Sequence, residues 1–345
     1  MVSSLFLLRP PPADLRALPK LAASRSHGLL SRRSVLPVRI SLFPEPRRPP
    51  FVGSEKRRQL AFACFYNTKE KLGPTSPEKA LKVDRPILQR WDVPWGWQTA
   101  TLTMIACGVS FVLTGLVEAS VLPYLGFQGG EVSLEEKAEI LFAGQFAVTA
   151  VVLGVIYGIT NSFRPLPDDI FCYDWKDPFS LPKGWLLWAG IGLVGALIAI
   201  ALAGVALTTF SDENPQRETD ALIRLLPLIG SSSVSTACLV GVTGVLAPIL
   251  EETVFRGFLM VSLTKWVPTP VSVLISAAVF AIAHLTPGEF PQLFLLGAAL
   301  GFSYAQTHNL LTPITIHSIW NSGVILLLTF LQLQGYDIRE LLQAS

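Results

Sequence analysis

Two adjacent glutamates and an arginine lie inside a stretch that otherwise has the composition of a membrane span. Residues 251–257 are Glu-Glu-Thr-Val-Phe-Arg-Gly, and neither residues 225–250 nor residues 258–263 contain an Asp, Glu, Lys or Arg. A charged side chain at the centre of a bilayer helix costs roughly 2.5 to 3.5 kcal/mol on insertion scales. Such residues must therefore be paired or face a polar cavity, and a functional role is the first hypothesis.

Helical spacing divides these charges into two sets. Glu252 and Arg256 are four residues apart, so they share one helix face and can form an ion pair. Glu251 is rotated by about a quarter turn and has no such partner nearby in the sequence, which leaves it free for chemistry. On this heptapeptide alone, a purely structural ion network explains the residues equally well.

Two later stretches bring further polar groups into apolar helices. Phe280 and His284 lie one turn apart at the end of one helix, and His317 and Asn321 share a face of the last helix. A lone histidine at a helix end is more often a satisfied interface residue than a catalyst. Here, packing all three stretches around one cavity lets each group find a partner, and we expect Glu251 to lie there too. A carboxylate and an imidazole can move a proton from water, and an imidazole with a carboxamide can stabilise an oxyanion.

The three stretches together resemble the CPBP family, the CAAX prenyl protease and bacteriocin-processing (Abi) intramembrane proteases. Residues 251–256 match its EExxxR motif, residues 280–284 match FxxxH, and residues 317–321 match HxxxN, in the family's order. The resemblance covers about residues 180–333. It implies a helical core around a buried cavity.

The resemblance also implies roles for individual residues. Glu251 and His284 would activate a water molecule, and His317 and Asn321 would stabilise the oxyanion. Residues expected to support this set are Glu252, Arg256 and Phe280.

A metal site remains open at the sequence level. Glu251, His284 and His317 could supply the three protein ligands of an open zinc site, with water as the fourth ligand. The resembling family has been described both as metalloproteases and as metal-free glutamate proteases. The spacing differs from HExxH, in which two ligands share one helix, so the metal-independent route is slightly favoured.

Composition defines the broad class of the protein. Half of the 345 residues are hydrophobic, only 15% are charged, and the mean hydropathy is +0.48. This balance predicts a polytopic membrane protein. The apolar runs along the chain predict an all-α fold with about seven to eight transmembrane helices, and the polar stretches predict that these surround a polar cavity. The four cysteines form no CxxC pair, and the sequence has no P-loop and no basic aromatic face, so we expect no nucleic-acid partner.

The N-terminal segment differs from the rest of the chain. Residues 1–60 contain twelve Lys or Arg, three Asp or Glu and eight Ser, with no apolar run long enough for a secretory signal. This composition predicts an organellar transit peptide, and the Pro clusters favour a plastid, so we expect a chloroplast membrane, either envelope or thylakoid. The alternative is a disordered basic tail that stays attached and touches anionic lipid.

Four regions are expected: transit peptide 1–60, soluble linker 61–98, N-terminal membrane helices 99–210 and catalytic membrane region 211–345.

Several local features are also expected. An interfacial aromatic belt before the first span would contain Trp91, Trp95 and Trp97. We expect His308 and Asn309 to form a solvent-exposed turn. Glycines expected to mark close helix contacts are Gly190, Gly192, Gly195, Gly204, Gly297 and Gly301. Predicted spans are 99–117, 140–160, 185–210, 234–263, 271–285, 291–306 and 313–333.

The leading functional hypothesis is an endopeptidase that cleaves a membrane-associated protein within or near the bilayer, in contact with membrane lipid. Prenylated CAAX proteins arise on the cytosolic side, so a plastid address argues against that substrate. The alternative is a non-catalytic scaffold or chaperone that keeps the fold and binds a partner in its polar cavity. A small-solute transporter would also explain intramembrane charges, but the sequence shows no broken-helix pair in inverted halves.

Overall fold

The computed structural model describes residues 88–121, 124, 132–210, 225 and 227–336, and in these ranges the chain is helical without strands. This confirms the predicted all-α class. The predicted transit peptide and most of the predicted linker lie outside the described residues, and the domain boundaries stay predictions. The principal helices are α1 (Trp97–Val121), α2 (Leu134–Thr160), α3 (Trp185–Phe210), α4 (Ser233–Leu263), α5 (Thr269–Ala283), α6 (Phe290–Thr307) and α7 (Leu311–Leu333).

Five of these helices are long and apolar enough to cross a membrane: α1, α2, α3, α4 and α7. Helix α5 is apolar but has only 15 residues, and α6 has 18. At 1.5 Å per residue, α5 is shorter than a hydrocarbon core of about 30 Å. The chain is thus a polytopic helical membrane protein in which α5 is too short for a full span and α6 is long enough but not among the helices that are apolar enough to cross.

Local sequence sets where several helices begin. Ser133 and Glu136 form a reciprocal capping box before α2, since each side chain binds the other residue's backbone N–H. The hydroxyl of Ser232 accepts a hydrogen bond from the backbone N–H of Ser235 and caps α4. Helices α5 and α6 each carry a proline in their first turn, where its missing N–H is tolerated. These signals explain why the predicted spans agree with the observed helices to within a few residues at most ends.

Helix α4 is not a regular α-helix along its length. It contains two π-helical stretches, Gly241–Leu246 and Thr253–Met260, on either side of an α-helical stretch, Ala247–Glu252. π-Helical stretches within α-helices occur frequently at functional sites. The acidic pair therefore lies at the junction between α-helical and π-helical geometry.

Close helix packing involves only part of the predicted glycine set. A Cβ at Gly297 would lie 3.1 Å from Cα of Ala277, so α6 and α5 can approach only because residue 297 has no side chain. Gly192 and Gly301 face neighbouring helices in the same way. The prediction is wrong for three positions on α3, because no atom lies within 4 Å of a Cβ built at them: Gly190, Gly195 and Gly204. Exposed apolar residues of α3, such as Ile191, Val194 and Leu202, lie close to these positions in the sequence.

The segment before α1 packs into the protein core. Trp91 is 4% exposed and Trp95 is fully buried, whereas Trp97 is 63% exposed. The Trp95 indole N–H donates to the Ser262 hydroxyl at 2.8 Å, and Lys265 Nζ donates to the Trp95 carbonyl at 2.6 Å. The prediction of an interfacial belt is therefore wrong for Trp91 and Trp95. The C-terminal end of α4 supplies partners for Trp95, whereas the Trp91 indole N–H donates to the Asp169 carbonyl at 3.1 Å and its ring stacks on His308.

The turn between α6 and α7 is also buried. His308 ends α6 in the left-handed conformation, with φ of 54°, and is only 8% exposed. Its Nδ1 lies 3.0 Å from Asp169 Oδ2, and Asn309 Nδ2 donates to the Asp174 carbonyl at 2.6 Å. The predicted solvent-exposed turn is wrong, because the α2–α3 loop folds over it and satisfies its polar groups.

We predict that Trp95→Ala lowers the free energy of unfolding by about 3 to 5 kcal/mol, because it removes a fully buried indole and leaves a cavity. Thermal unfolding in detergent measures this change. Trp97→Ala is the matched control, since its side chain is largely exposed and its removal should cost far less. Equal losses for the two variants would contradict the buried packing of Trp95.

Candidate active site

The three polar stretches meet, as the sequence predicted. Glu251 Oε2 of α4 lies 3.8 Å from Nε2 of His284, at the end of α5, and 3.8 Å from Nε2 of His317, in α7. The side chains of His284 and His317 are 9% and 3% exposed, and that of Glu251 is 19% exposed. One carboxylate oxygen therefore faces two imidazole nitrogens in a nearly closed site.

The second glutamate forms a buried ion pair with the arginine one turn later. Arg256 Nη1 donates to Glu252 Oε1 at 2.8 Å, and both side chains are fully buried. Arg256 Nη2 donates to the Gly297 carbonyl at 3.0 Å, and the guanidinium lies 4.4 Å from the centroid of the Phe280 ring. This pair links α4 to α5 and α6, which agrees with the supporting role expected for these residues.

Glu252 also orients the histidine of α7. His317 Nδ1 lies 2.7 Å from Glu252 Oε1. A carboxylate oxygen can only accept a hydrogen bond, so Nδ1 carries the proton and Nε2 of the neutral ring carries a lone pair. The oxygen that holds Arg256 thus also fixes the tautomer of His317.

The same reasoning fixes the other imidazole. His284 Nδ1 lies 2.7 Å from the Phe280 carbonyl oxygen, which is an acceptor, so the Nε2 of a neutral His284 is also unprotonated. The Phe280 ring contacts both imidazoles edge-on, with centroid distances of 4.6 Å to His284 and 5.8 Å to His317. Phe280 therefore helps to hold both rings with their Nε2 atoms towards Glu251.

The centre of the site consequently contains three hydrogen-bond acceptors. They are Glu251 Oε2 and the Nε2 atoms of His284 and His317, and Glu251 Oε2 is buried without a hydrogen-bond partner among the described residues. Acceptors this close together repel one another unless a shared proton, the hydrogens of a water molecule or a cation lies between them. The arrangement is chemically suited to bind and deprotonate water.

Asn321 occupies a different position from the other predicted residues. Its Nδ2 donates to the Thr243 carbonyl at 2.9 Å, within the first π-helical stretch of α4. No hydrogen bond joins it to the glutamate or to either histidine in the described part of the chain. Sequence analysis missed Thr243, because its contribution is a backbone carbonyl and no residue type signals that role.

A further missed contact supports the second π-helical stretch. The Ser276 hydroxyl of α5 donates to the Phe255 carbonyl at 2.8 Å. Ser276 is buried, and its bond satisfies a carbonyl one residue before Arg256. The only sign of this contact in the sequence is the helical spacing, which places Ser276 one turn before Phe280 on the same face of α5.

The donor set is chemically compatible with a zinc ion. Both histidines direct Nε2 inwards while Nδ1 donates to a carboxylate or a carbonyl, which is the usual outer hydrogen bonding of metal-binding histidines. In the present side-chain positions, no group of three His, Cys, Asp or Glu side chains within the described ranges is placed to hold a metal ion. Small side-chain movements would be needed to bring the three donors onto one ion.

Sequence comparison with known proteins identifies the same part of the chain. Residues 233–323, which include all three motifs, match the family described as type II CAAX prenyl endopeptidase Rce1-like. The chain is 23% identical over 215 residues to YdiL, a candidate membrane peptidase of Bacillus subtilis (strain 168), covering 62% of this chain and 83% of YdiL. It is 25% identical over 156 residues to the membrane-embedded CAAX protease MroQ of Staphylococcus aureus (strain USA300), covering 42% of this chain and 59% of MroQ. No solved structure matches the chain.

The fold is that of a polytopic helical membrane protein, and its buried polar cluster lies within the region that matches the CAAX prenyl endopeptidase family. The comparisons support the resemblance to the CPBP family of intramembrane proteases that the three motifs indicated.

We predict that Arg256→Met lowers the free energy of unfolding by about 3 to 5 kcal/mol, because it leaves the buried Glu252 carboxylate without its cation. The double variant Glu252→Gln/Arg256→Met should lose less than the sum of the single losses, since both residues act through one contact. Unfolding in detergent micelles measures all three variants. Arg164→Met is the matched control, because Arg164 is exposed. Strictly additive losses in the double variant would show that the contact between Glu252 and Arg256 does not stabilise the fold.

Proposed function

We propose that this protein is an intramembrane endopeptidase that hydrolyses a peptide bond of a membrane-associated protein, with Glu251 as the general base. The observation that carries the proposal is the position of Glu251 Oε2 at 3.8 Å from the Nε2 atoms of both His284 and His317 in a nearly closed site. The family and its membrane peptidase relatives support the same reaction class.

In the proposed mechanism a water molecule donates its hydrogens to Glu251 Oε2 and to a histidine Nε2. Glu251 takes a proton as the water oxygen bonds to the carbonyl carbon of the scissile peptide. His284 Nε2, 3.8 Å from Glu251, receives this proton and delivers it to the leaving amine as the carbon–nitrogen bond breaks. The products are a carboxylic acid and an amine, so the water is fully accounted for.

His317 and Asn321 are proposed to stabilise the oxyanion of the tetrahedral intermediate. Because His317 Nδ1 donates to Glu252, its Nε2 can donate to an oxyanion only when the ring is an imidazolium. Asn321 has a second Nδ2 hydrogen beyond the one donated to Thr243, and a small rotation would direct it to the same oxygen.

The proposal also covers a possible zinc cofactor. Glu251, His284 and His317 would hold a zinc ion if one binds, and the ion would polarise the scissile carbonyl as a Lewis acid. In the metal-independent route, which we favour, the same three groups act directly on water. In both routes Glu252, Arg256 and Phe280 orient the reacting side chains.

We predict that Glu251→Gln lowers kcat by about 100- to 10,000-fold, because an amide cannot accept the proton of the attacking water. Cleavage of candidate membrane peptides by purified protein in proteoliposomes measures this loss. Glu118→Gln is the matched control, since Glu118 is also a glutamate of a membrane helix but lies in α1, outside the site, and should retain full activity.

Several outcomes would change the proposal. Equal cleavage by wild type and Glu251→Gln would refute the proposed base. Binding of a partner protein without cleavage by any variant would favour the scaffold or chaperone alternative. Zinc in elemental analysis of the purified wild type, lost from His284→Ala together with chelator-sensitive activity, would replace the metal-independent route by the zinc route.

We further propose that the protein lies in a plastid membrane, on the basis of the basic, serine-rich composition of residues 1–60. A fluorescent protein fused behind residues 1–64 should accumulate in chloroplasts and be shortened there, as microscopy and immunoblotting would show. The matched control replaces the arginines of the segment by glutamine. Retention of the uncut fusion in the cytosol would contradict the plastid address.

A further inference from the structure

An open cavity lies along the seam between the membrane helices α4 and α7. Its volume is about 320 Å³, and it is lined by Gly244, Val245 and Ile249 on one side and Ile314, Ser318, Ile319 and Ser322 on the other. This volume is at the lower end of the range of ligand pockets. Val245 and Ile319, each about half exposed, form its outer rim.

Two serine hydroxyls at this seam lack hydrogen-bond partners. Hydroxyls in membrane helices commonly donate to the carbonyl four residues earlier, and Thr243, Thr253 and Ser262 of α4 do so. Within the described ranges, the hydroxyls of Ser318 and Ser322 make no hydrogen bond of this or any other kind. A polar group that faces an apolar medium is stabilised only when a partner is supplied, so the cavity favours a ligand that carries hydrogen-bonding groups.

On both helices, residues that line the cavity are direct sequence neighbours of candidate site residues or of their partners. Ser318 directly follows His317, and Ser322 directly follows Asn321. On the facing helix, Gly244 directly follows Thr243, whose carbonyl holds Asn321. A chain lying along the seam would therefore pass beside the groups proposed to act on the scissile bond.

The spacing of the two hydroxyls fits an extended backbone. Side chains four residues apart on a helix are separated by about 5 to 6 Å. An extended chain presents N–H and C=O groups on one edge at every second residue, roughly every 6.4 to 6.8 Å. A lipid tail has no hydrogen-bonding groups, and a helical segment has already used its own, so neither would satisfy the serines.

Glycine at position 244 keeps the seam open. A Cβ built at residue 244 would overlap Ser322 Oγ, so any side chain there would displace the serine and narrow the cavity. The seam thus combines free space, two unpartnered hydroxyls and apolar walls. These are the features required to hold an unwound apolar peptide in lipid.

We infer that the α4–α7 seam is a substrate subsite that binds an extended, apolar segment next to the scissile bond through hydrogen bonds from Ser318 and Ser322 to its backbone. This inference rests on the proposed endopeptidase function and names where its substrate lies. It assigns the substrate class as a membrane segment that can unwind.

Photo-crosslinking in the inactive Glu251→Gln background tests the subsite independently of cleavage. A photoreactive amino acid replaces Ile319 at the rim, or Leu327 on the exposed face of α7 as the control position. The probe is a synthetic peptide of about 20 apolar residues with two central glycines, reconstituted in phosphatidylcholine vesicles. We expect the peptide to be labelled from position 319 and at most weakly from position 327.

Removing the hydroxyls should weaken this labelling. The double variant Ser318→Ala/Ser322→Ala removes two hydrogen bonds of ordinary net strength. Its apparent affinity for the peptide should therefore fall by about tenfold or more. Ser120→Ala is the matched control, since the Ser120 hydroxyl bonds to its own helix on α1, and it should leave labelling unchanged. The thermal unfolding temperatures of all variants should agree.

The outcomes separate this inference from the proposed function. Equal labelling from positions 319 and 327, labelling of lipid alone, or no effect of the double serine variant would overturn the subsite. Labelling with the expected serine dependence, combined with a wild type that cleaves no peptide, would retain the subsite and reject the proteolytic function.

Discussion

The structure depends on one constraint, which is that charged groups placed in a membrane region must find partners inside the protein. Glu252 Oε1 meets this constraint twice, by accepting from Arg256 and from His317. The bond from His317 connects α4 with α7, and the second donor nitrogen of Arg256 connects α4 with α6. A single buried carboxylate thereby sets the relative positions of the helices that carry the site.

This arrangement leaves the neighbouring glutamate chemically available. Glu252 neutralises the arginine and orients His317, so Glu251 faces the imidazole nitrogens without a counter-ion of its own. The two carboxylates have the same side chain but different surroundings, one fully buried in an ion pair and the other partly accessible. Division of labour between adjacent glutamates follows from this difference in environment.

The irregular backbone of α4 contributes to the same arrangement. A π-helical stretch adds a residue to a turn, so it changes which side chains and carbonyls face a neighbouring helix. The first stretch presents the Thr243 carbonyl to Asn321, and the second begins directly after Glu252 and continues through Arg256. Ser276 satisfies a carbonyl within the second stretch. The irregularity is therefore held by contacts from α5 and α7.

The sequence by itself determined the helices and predicted the candidate site residues and the family resemblance, because apolar length, capping residues and charges in apolar runs act locally. The pairing of Glu252 with Arg256 was predictable for the same reason, since four residues separate them. Only the tertiary structure decided the histidine tautomers, the anchoring of Asn321 on Thr243, the burial of Trp95 and His308, and the unpartnered serines of the α4–α7 seam. Each of these depends on which helices or loops come to lie beside a residue, and contacts between residues far apart in the chain leave no periodic pattern in the sequence.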